Sequence, residues 1–201
     1  MDSLVASWQL VFMKPGNGLL SAGSAAQDRS GPQAVFLVGF MGAGKTSVGQ
    51  ALGNQLGWLF EDLDDRIQHR EGRSIEEIFR DSGEAEFRRA ETAALRELVA
   101  ELGPSPRIVA LGGGAFVRAE NAALLGKTGV PVVFLDGPAD ELYRRCEQER
   151  RARPMRHNMK QFRELYQQRR PSYLMATVRI DTEDKDVNTV AVEVACSLGL
   201  Q

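Results

Sequence analysis

Residues 34–46 read Ala-Val-Phe-Leu-Val-Gly-Phe-Met-Gly-Ala-Gly-Lys-Thr, an apolar run that gives way to a glycine-rich turn closed by Lys45-Thr46. From Gly39 onward the stretch fits G-x-x-x-x-G-K-[ST], the loop that cradles a polyphosphate. Each fixed position has a physical reason. Glycines let successive backbone N–H groups turn inward, because no Cβ obstructs the turn or the approach of an anion. In this pattern Gly42, Ala43, Gly44 and Ser47 line the phosphates, Lys45 brings a point charge to their β and γ groups, and the Thr46 hydroxyl is placed to ligate Mg²⁺. A helix starting at this point would add unsatisfied amides and the positive end of its dipole.

The context agrees. Ala34–Val38 is suited to a strand buried on both faces. After the loop, Val48, Ala51, Leu52 and Leu56 are spaced as one apolar helical stripe. Further along, Trp58-Leu59-Phe60 leads into Asp62-Leu63-Asp64, which reads as a strand ending in two carboxylates. Ser74-Ile75-Glu76-Glu77 is a capping box for a short helix through Phe79. Residues 84–102 carry Phe87, Ala94, Leu95, Leu98 and Leu102 at helical spacing, and Ile108–Leu111 is a second buried-strand run that meets Gly112-Gly113-Gly114. Val130–Leu135 is a third strand, with a helix from about Asp140. A short helix carries Phe162, Leu165 and Tyr166, residues 176–181 form a last strand, and Val190, Val194 and Leu198 mark a closing helix. Apolar strands alternating with helices predict an α/β fold in which parallel β-α-β units gather the ligand-bearing loops at one sheet edge.

The 201 residues fit one domain with a sizeable core, at 43% apolar and 26% charged. A net charge of −2 gives no basic footprint for nucleic acid. The two cysteines, Cys146 and Cys196, lie outside any metal-ligand spacing, so both read as packing residues in a reducing, cytoplasmic setting. Residues 4–13 are apolar but too short to span a bilayer, and no basic segment precedes them. With the glycine-, serine- and alanine-rich stretch that follows, residues 1–33 read as a flexible extension of a domain covering 34–201.

Phosphoryl transfer asks a protein for positioning and charge neutralisation. Asp62 and Asp64, alternating along a strand, would point to one side, one to hold Mg²⁺ and the other to accept a proton from a substrate hydroxyl; Asp65 reads as a loop cap. Six arginines lie between Arg144 and Arg156, interrupted by Pro154, which suits a mobile lid over about 148–160 that closes on the nucleotide and excludes water. Arg150 and Arg151, beside Glu147 and Glu149, read as solvated surface instead. His69 and His157 have no partners that suggest catalysis.

Taken together, several motifs resemble those of shikimate kinases: the loop at 39–46, Asp62-x-Asp64, Gly72-Arg73-Ser74-Ile75 with Glu77-Ile78-Phe79, Gly83-x-x-x-Phe87-Arg88-x-x-Glu91, Leu111-Gly112-Gly113-Gly114-Ala115, Arg153-Pro154 and Arg169-x-Pro171-x-Tyr173. The resemblance covers residues 34 to about 197. It implies a three-layer P-loop kinase fold, a parallel sheet flanked by helices with a mobile lid, and ATP-dependent phosphorylation of the shikimate 3-hydroxyl by a monomer with no membrane or nucleic-acid partner. It implies that Asp64, Arg88, Gly112, Gly113, Gly114 and Arg169 hold shikimate, with Arg88 and Arg169 forking onto its carboxylate. Glu91, one turn after Arg88, would fix the guanidinium, and Phe79 and Phe87 would form an apolar wall. ATP would be held by the loop, by Arg145 against the adenine and by Arg153 on the transferring phosphate. Lys45, Asp64 and Arg153 are then the catalytic residues, and Thr46 and Asp62 the Mg²⁺ ligands.

The chain departs from the family pattern at Met155-Arg156-His157, where leucines are usual. Its lid is a few residues short, and the spacing to Arg145 is one residue longer. Three rival readings remain: a gluconate-type kinase of the same fold, a binding protein that has lost catalysis, and a nucleic-acid role for the arginine segment. Arg88 and Arg169 weigh against the first, the intact loop against the second and the acidic balance against the third.

Overall fold

The computed structural model describes residues 32–148 and 158–200. The proposed extension up to residue 31, and the lid residues 149–157 with Arg150, Arg151, Arg153, Arg156 and His157, lie outside the described residues.

The five residues of β1 (Ala34–Val38) are all buried, as an apolar run without alternation requires. This strand is the middle of a five-stranded parallel sheet. Its neighbours are β3 (Arg107–Ala110), with Phe36 beside Val109, and β4 (Val132–Asp136), with Phe36 beside Val132. The edges are β2 (Leu59–Asp62) on β3 and β5 (Val178–Asp181) on β4, so the order is β2-β3-β1-β4-β5. The polar edge strand β2 is only partly covered, and its Glu61 pairs with Arg66 and Arg107.

Helices link every pair of consecutive strands, the arrangement parallel connections demand. Helix α1 (Lys45–Leu56) packs on α7 (Val187–Ser197) and over β2 and β3. Its buried stripe is Val48, Gly49, Leu52 and Gly53, whereas the expected Ala51 and Leu56 are only half-covered. Small residues face inward because the Phe60 ring of β2 lies where a side chain at 49 would stand.

Two expectations are corrected at β2. The strand ends at Asp62, and Asp64 lies in the first turn of α2 (Leu63–Glu71) rather than alternating along a strand. Asp62 is the cap of that helix: its carboxylate accepts from the Asp64 amide at 3.0 Å, satisfying a donor that an extended chain would leave open. Asp65, expected as a cap, is exposed within the same turn.

Ser74 and Glu77 form the expected capping box of α3 (Ile75–Ala100), which continues through both segments read from the sequence and bends at Gly83 (φ 76°, ψ 175°). Helix α4 (Ala119–Gly126) was not anticipated. Helix α5 (Ala139–Gln148) packs against α6 (Met159–Tyr173). The latter runs past the expected short helix to take in Arg169, Arg170 and Pro171. Cys146 is half-buried, but Cys196 is exposed and so is not the packing residue expected. No helix among the described residues is long and apolar enough to cross a membrane.

Candidate active site

The loop between β1 and α1 is assembled as the motif requires. Lys45 Nζ donates to the carbonyls of Gly39 (3.0 Å) and Phe40 (3.1 Å), so its ammonium sits on the loop's own rim. The Thr46 hydroxyl donates to Asp62 Oδ2 at 2.8 Å. With Oδ1 on the Asp64 amide, the Asp62 carboxylate ties the start of α1 to the start of α2. A hydroxyl beside a carboxylate is a pair of hard oxygen donors, which fits Mg²⁺. No group of three or more His, Cys, Asp or Glu able to hold a metal occurs among the described residues.

A second cluster surrounds Gly112–Gly114, the turn that follows β3. A Cβ on Gly112 would stand 2.7 Å from Asp64 Oδ1 and 3.4 Å from Glu91 Oε1, so both carboxylates press on this turn. A Cβ on Gly114 would fall closer than 3.0 Å to three atoms of the Arg88 guanidinium. Arg169 Nη1 donates to the Gly113 carbonyl at 3.4 Å, and its guanidinium carbon lies 5.9 Å from the centre of the Phe40 ring, within cation–π range. The turn also abuts the phosphate loop, since a Cβ on Gly113 would be 3.7 Å from Gly39 O and from Met41 N. Asp64, Arg88 and Arg169, far apart in sequence, therefore converge beside the loop that carries Lys45.

Arg88 is gripped by two acids. Its Nη1 donates to both oxygens of Glu91 (3.1 and 3.0 Å), and its Nε and Nη2 donate to Glu84 (3.3 and 3.1 Å). Burial pushes the Glu91 carboxyl up; the charge and hydrogen bond of Arg88 pull it back, and the nearby Asp64 charge adds to the rise. Burial pulls the Arg88 guanidinium down, but the Glu91 and Glu84 carboxylates outweigh it and hold the pKa above its ordinary value. The Phe79 and Phe87 rings meet at 4.7 Å beside this pair, Phe87 buried and Phe79 half-buried.

On the other side of the loop, a cleft of about 450 Å³ is lined by Gly42, Ala43, Gly44, Ser47, Arg145 and Thr182. Arg145 pairs with Glu141 and donates to the Thr182 carbonyl at 3.1 Å, which fixes it at the cleft wall. A larger opening of about 650 Å³ lies beside β2, lined by Glu61, Arg66, His69, Arg70 and Glu97 among others. Its arginines are already paired with Glu61, Glu101 and Glu97.

Sequence reasoning missed several supports. The Tyr173 hydroxyl donates to the Gly113 carbonyl across 60 residues, and burial pushes its pKa up. Asn121 Nδ2 holds the Ala115 carbonyl at 3.0 Å, directly after the turn. Asp136, 2% exposed at the end of β4, accepts from Tyr166 (2.8 Å), Arg170 (2.6 Å) and Arg179 (2.9 Å), which locks α6 to β4 and β5. The available signal was an aspartate closing an apolar strand, a position that hides a charge only when partners arrive from elsewhere.

A shikimate kinase family model matches residues 41–198. The shikimate kinase of Persephonella marina is 35% identical over 160 residues, which is 80% of this chain and 95% of that protein. That of Geobacter sulfurreducens is 40% identical over 163 residues, 80% of this chain and 88% of its own. Among solved structures, shikimate kinase from Acinetobacter baumannii in complex with shikimate superposes with a TM-score of 0.74 at 32% identity, covering 84% of this chain and 93% of the other. A gluconokinase from Sinorhizobium meliloti, at 18% identity and a TM-score of 0.53 over 84% of this chain and 92% of the other, shares the fold alone.

Proposed function

This chain belongs to the shikimate kinase family, and on that premise we propose that its reaction is run by Lys45, Asp64, Arg88 and Arg169 gathered at one edge of the sheet. The enzyme transfers a phosphoryl group from ATP to the 3-hydroxyl of shikimate, giving shikimate 3-phosphate and ADP on the route to the aromatic amino acids.

Arg88 and Arg169 hold the shikimate carboxylate in a charge-assisted fork, with the Gly112–Gly114 turn beneath the ring. Asp64 accepts from the 3-hydroxyl and aims it at the terminal phosphate. Gly42, Ala43, Gly44 and Ser47 wrap the phosphates, and Lys45 moves from its carbonyl partners to the oxygens of the transferring group, where its charge counts most. Thr46 and Asp62 would hold Mg²⁺, which would supply charge neutralisation at the phosphates. Arg145 flanks the adenine, and Arg153, assigned from its motif alone, supplies a further cation. The catalytic domain is residues 34–201, with 1–33 an extension and about 148–160 its lid, and it works as a cytoplasmic monomer.

The observation that supports this reading is the contact between the glycine turn and the loop of Lys45, which brings Arg88 and Arg169 beside that loop. An ADP-release assay with shikimate, gluconate or no acceptor tests it. Turnover is expected with shikimate alone; equal rates with gluconate would refute the assignment of Arg88 and Arg169.

A further inference from the structure

We propose that Glu84 is an internal stand-in for the substrate carboxylate: it occupies the Nε–Nη2 edge of Arg88 and must be displaced before shikimate can fork onto that guanidinium. The inference rests on the assignment of Arg88 as a carboxylate ligand.

The two acids on Arg88 are not equivalent. Glu91 is 1% exposed, grips Nη1 with both oxygens and has nowhere to go without stranding a buried carboxylate. The side chain of Glu84 is 64% exposed and presents a single oxygen to Nε and Nη2. The glycine turn packs against the guanidinium at Gly114, closing another approach. A planar fork accepts a bidentate carboxylate along an edge, and the Nε–Nη2 edge is the one whose present occupant is bathed in water. Glu84 also directly follows the bend at Gly83, and its exposed side chain can withdraw into solvent.

The arrangement has two effects. A tethered carboxylate keeps the guanidinium charge-paired and aimed at the pocket. It also competes with any incoming acid, lowering the affinity for shikimate by the worth of one exposed ion pair, roughly twofold to fivefold. Were Glu84 instead a support that orients Arg88 for substrate, its removal would weaken binding. The sign of the effect separates the two roles.

The test is calorimetric titration of shikimate, backed by KM, into the wild-type chain, Glu84→Gln, Glu86→Gln, Arg88→Ala and the double variant Glu84→Gln/Arg88→Ala. Glu86 lies on the same helix and carries the same charge but pairs with Arg89, so it controls for diffuse electrostatics. Glu84→Gln is expected to tighten shikimate about twofold to fivefold with ADP affinity unmoved, and Glu86→Gln to leave both where they were. Arg88→Ala is expected to weaken shikimate roughly tenfold to more than a hundredfold, and on that background Glu84→Gln is expected to give no gain. Unchanged or weaker binding in Glu84→Gln, an equal gain in Glu86→Gln, or a gain that persists without Arg88 would each overturn the proposal. An Arg88→Ala chain that binds shikimate normally would instead sink the assignment of Arg88, and this inference with it.

Discussion

Lys45 is hydrogen-bonded to the carbonyls of Gly39 and Phe40, so its ammonium holds the loop's rim. On the proposed role, Lys45→Ala removes a charge that would matter most in the transition state. Turnover is expected to vanish while the thermal unfolding midpoint stays within a few degrees; near-normal rates in the ADP assay would contradict the role. At this scale the sequence was most legible where chemistry dictates residue type at fixed spacing, as in Gly39–Thr46 or Arg88 with Glu91. It was silent on Tyr173 reaching Gly113 and on Asp136 collecting Arg170 and Arg179, because those pairings exist only once distant segments are brought together. Glu84 was hidden for another reason: an exposed glutamate four residues from an arginine on a helix resembles any solvated pair.

Among the elements, strands and helices with strong apolar period were readable, and boundaries set by capping were not. Asp64 was placed on a strand because Asp62-x-Asp64 alternates, yet a carboxylate that can satisfy an open amide ends the strand and starts a helix. The short helix read around Phe162, Leu165 and Tyr166 runs on through Pro171, which sits in its last turn and forgoes one amide bond to the carbonyl four residues earlier. The break in α3 was legible as a gap between two apolar stretches, and its cause is Gly83, at backbone angles that only glycine adopts without strain. Gly83→Ala is expected to lower stability by about 1–3 kcal/mol in urea unfolding. An unchanged midpoint would mean that the bend relaxes freely.

For the molecule as a whole, Asp136 is the charge on which the right-hand half of the sheet closes. Burial pushes this carboxyl up, but the hydrogen bonds of Arg170 and Tyr166 and the charges of Arg170 and Arg179 outweigh it, leaving the pKa below the ordinary 3.8. A folded value under the unfolded one contributes stability that is complete above the ordinary value and fades as pH falls through the lower one. Asp136→Asn is thus expected to lower the urea midpoint at neutral pH and to flatten its decline between about pH 4 and pH 2; an acid limb parallel to that of the wild type would refute the linkage. Sheet order was not legible, since nothing local tells Ala34–Val38 that its neighbours start at Arg107 and Val132. That order has a consequence for biosynthesis. A ribosome that has delivered the first hundred residues has made the cradle and both aspartates but neither flank of the strand from which the cradle hangs. Arg107–Ala110 leaves the exit tunnel first and Val132–Asp136 later, so that strand is flanked in two stages and is zipped on both sides only late.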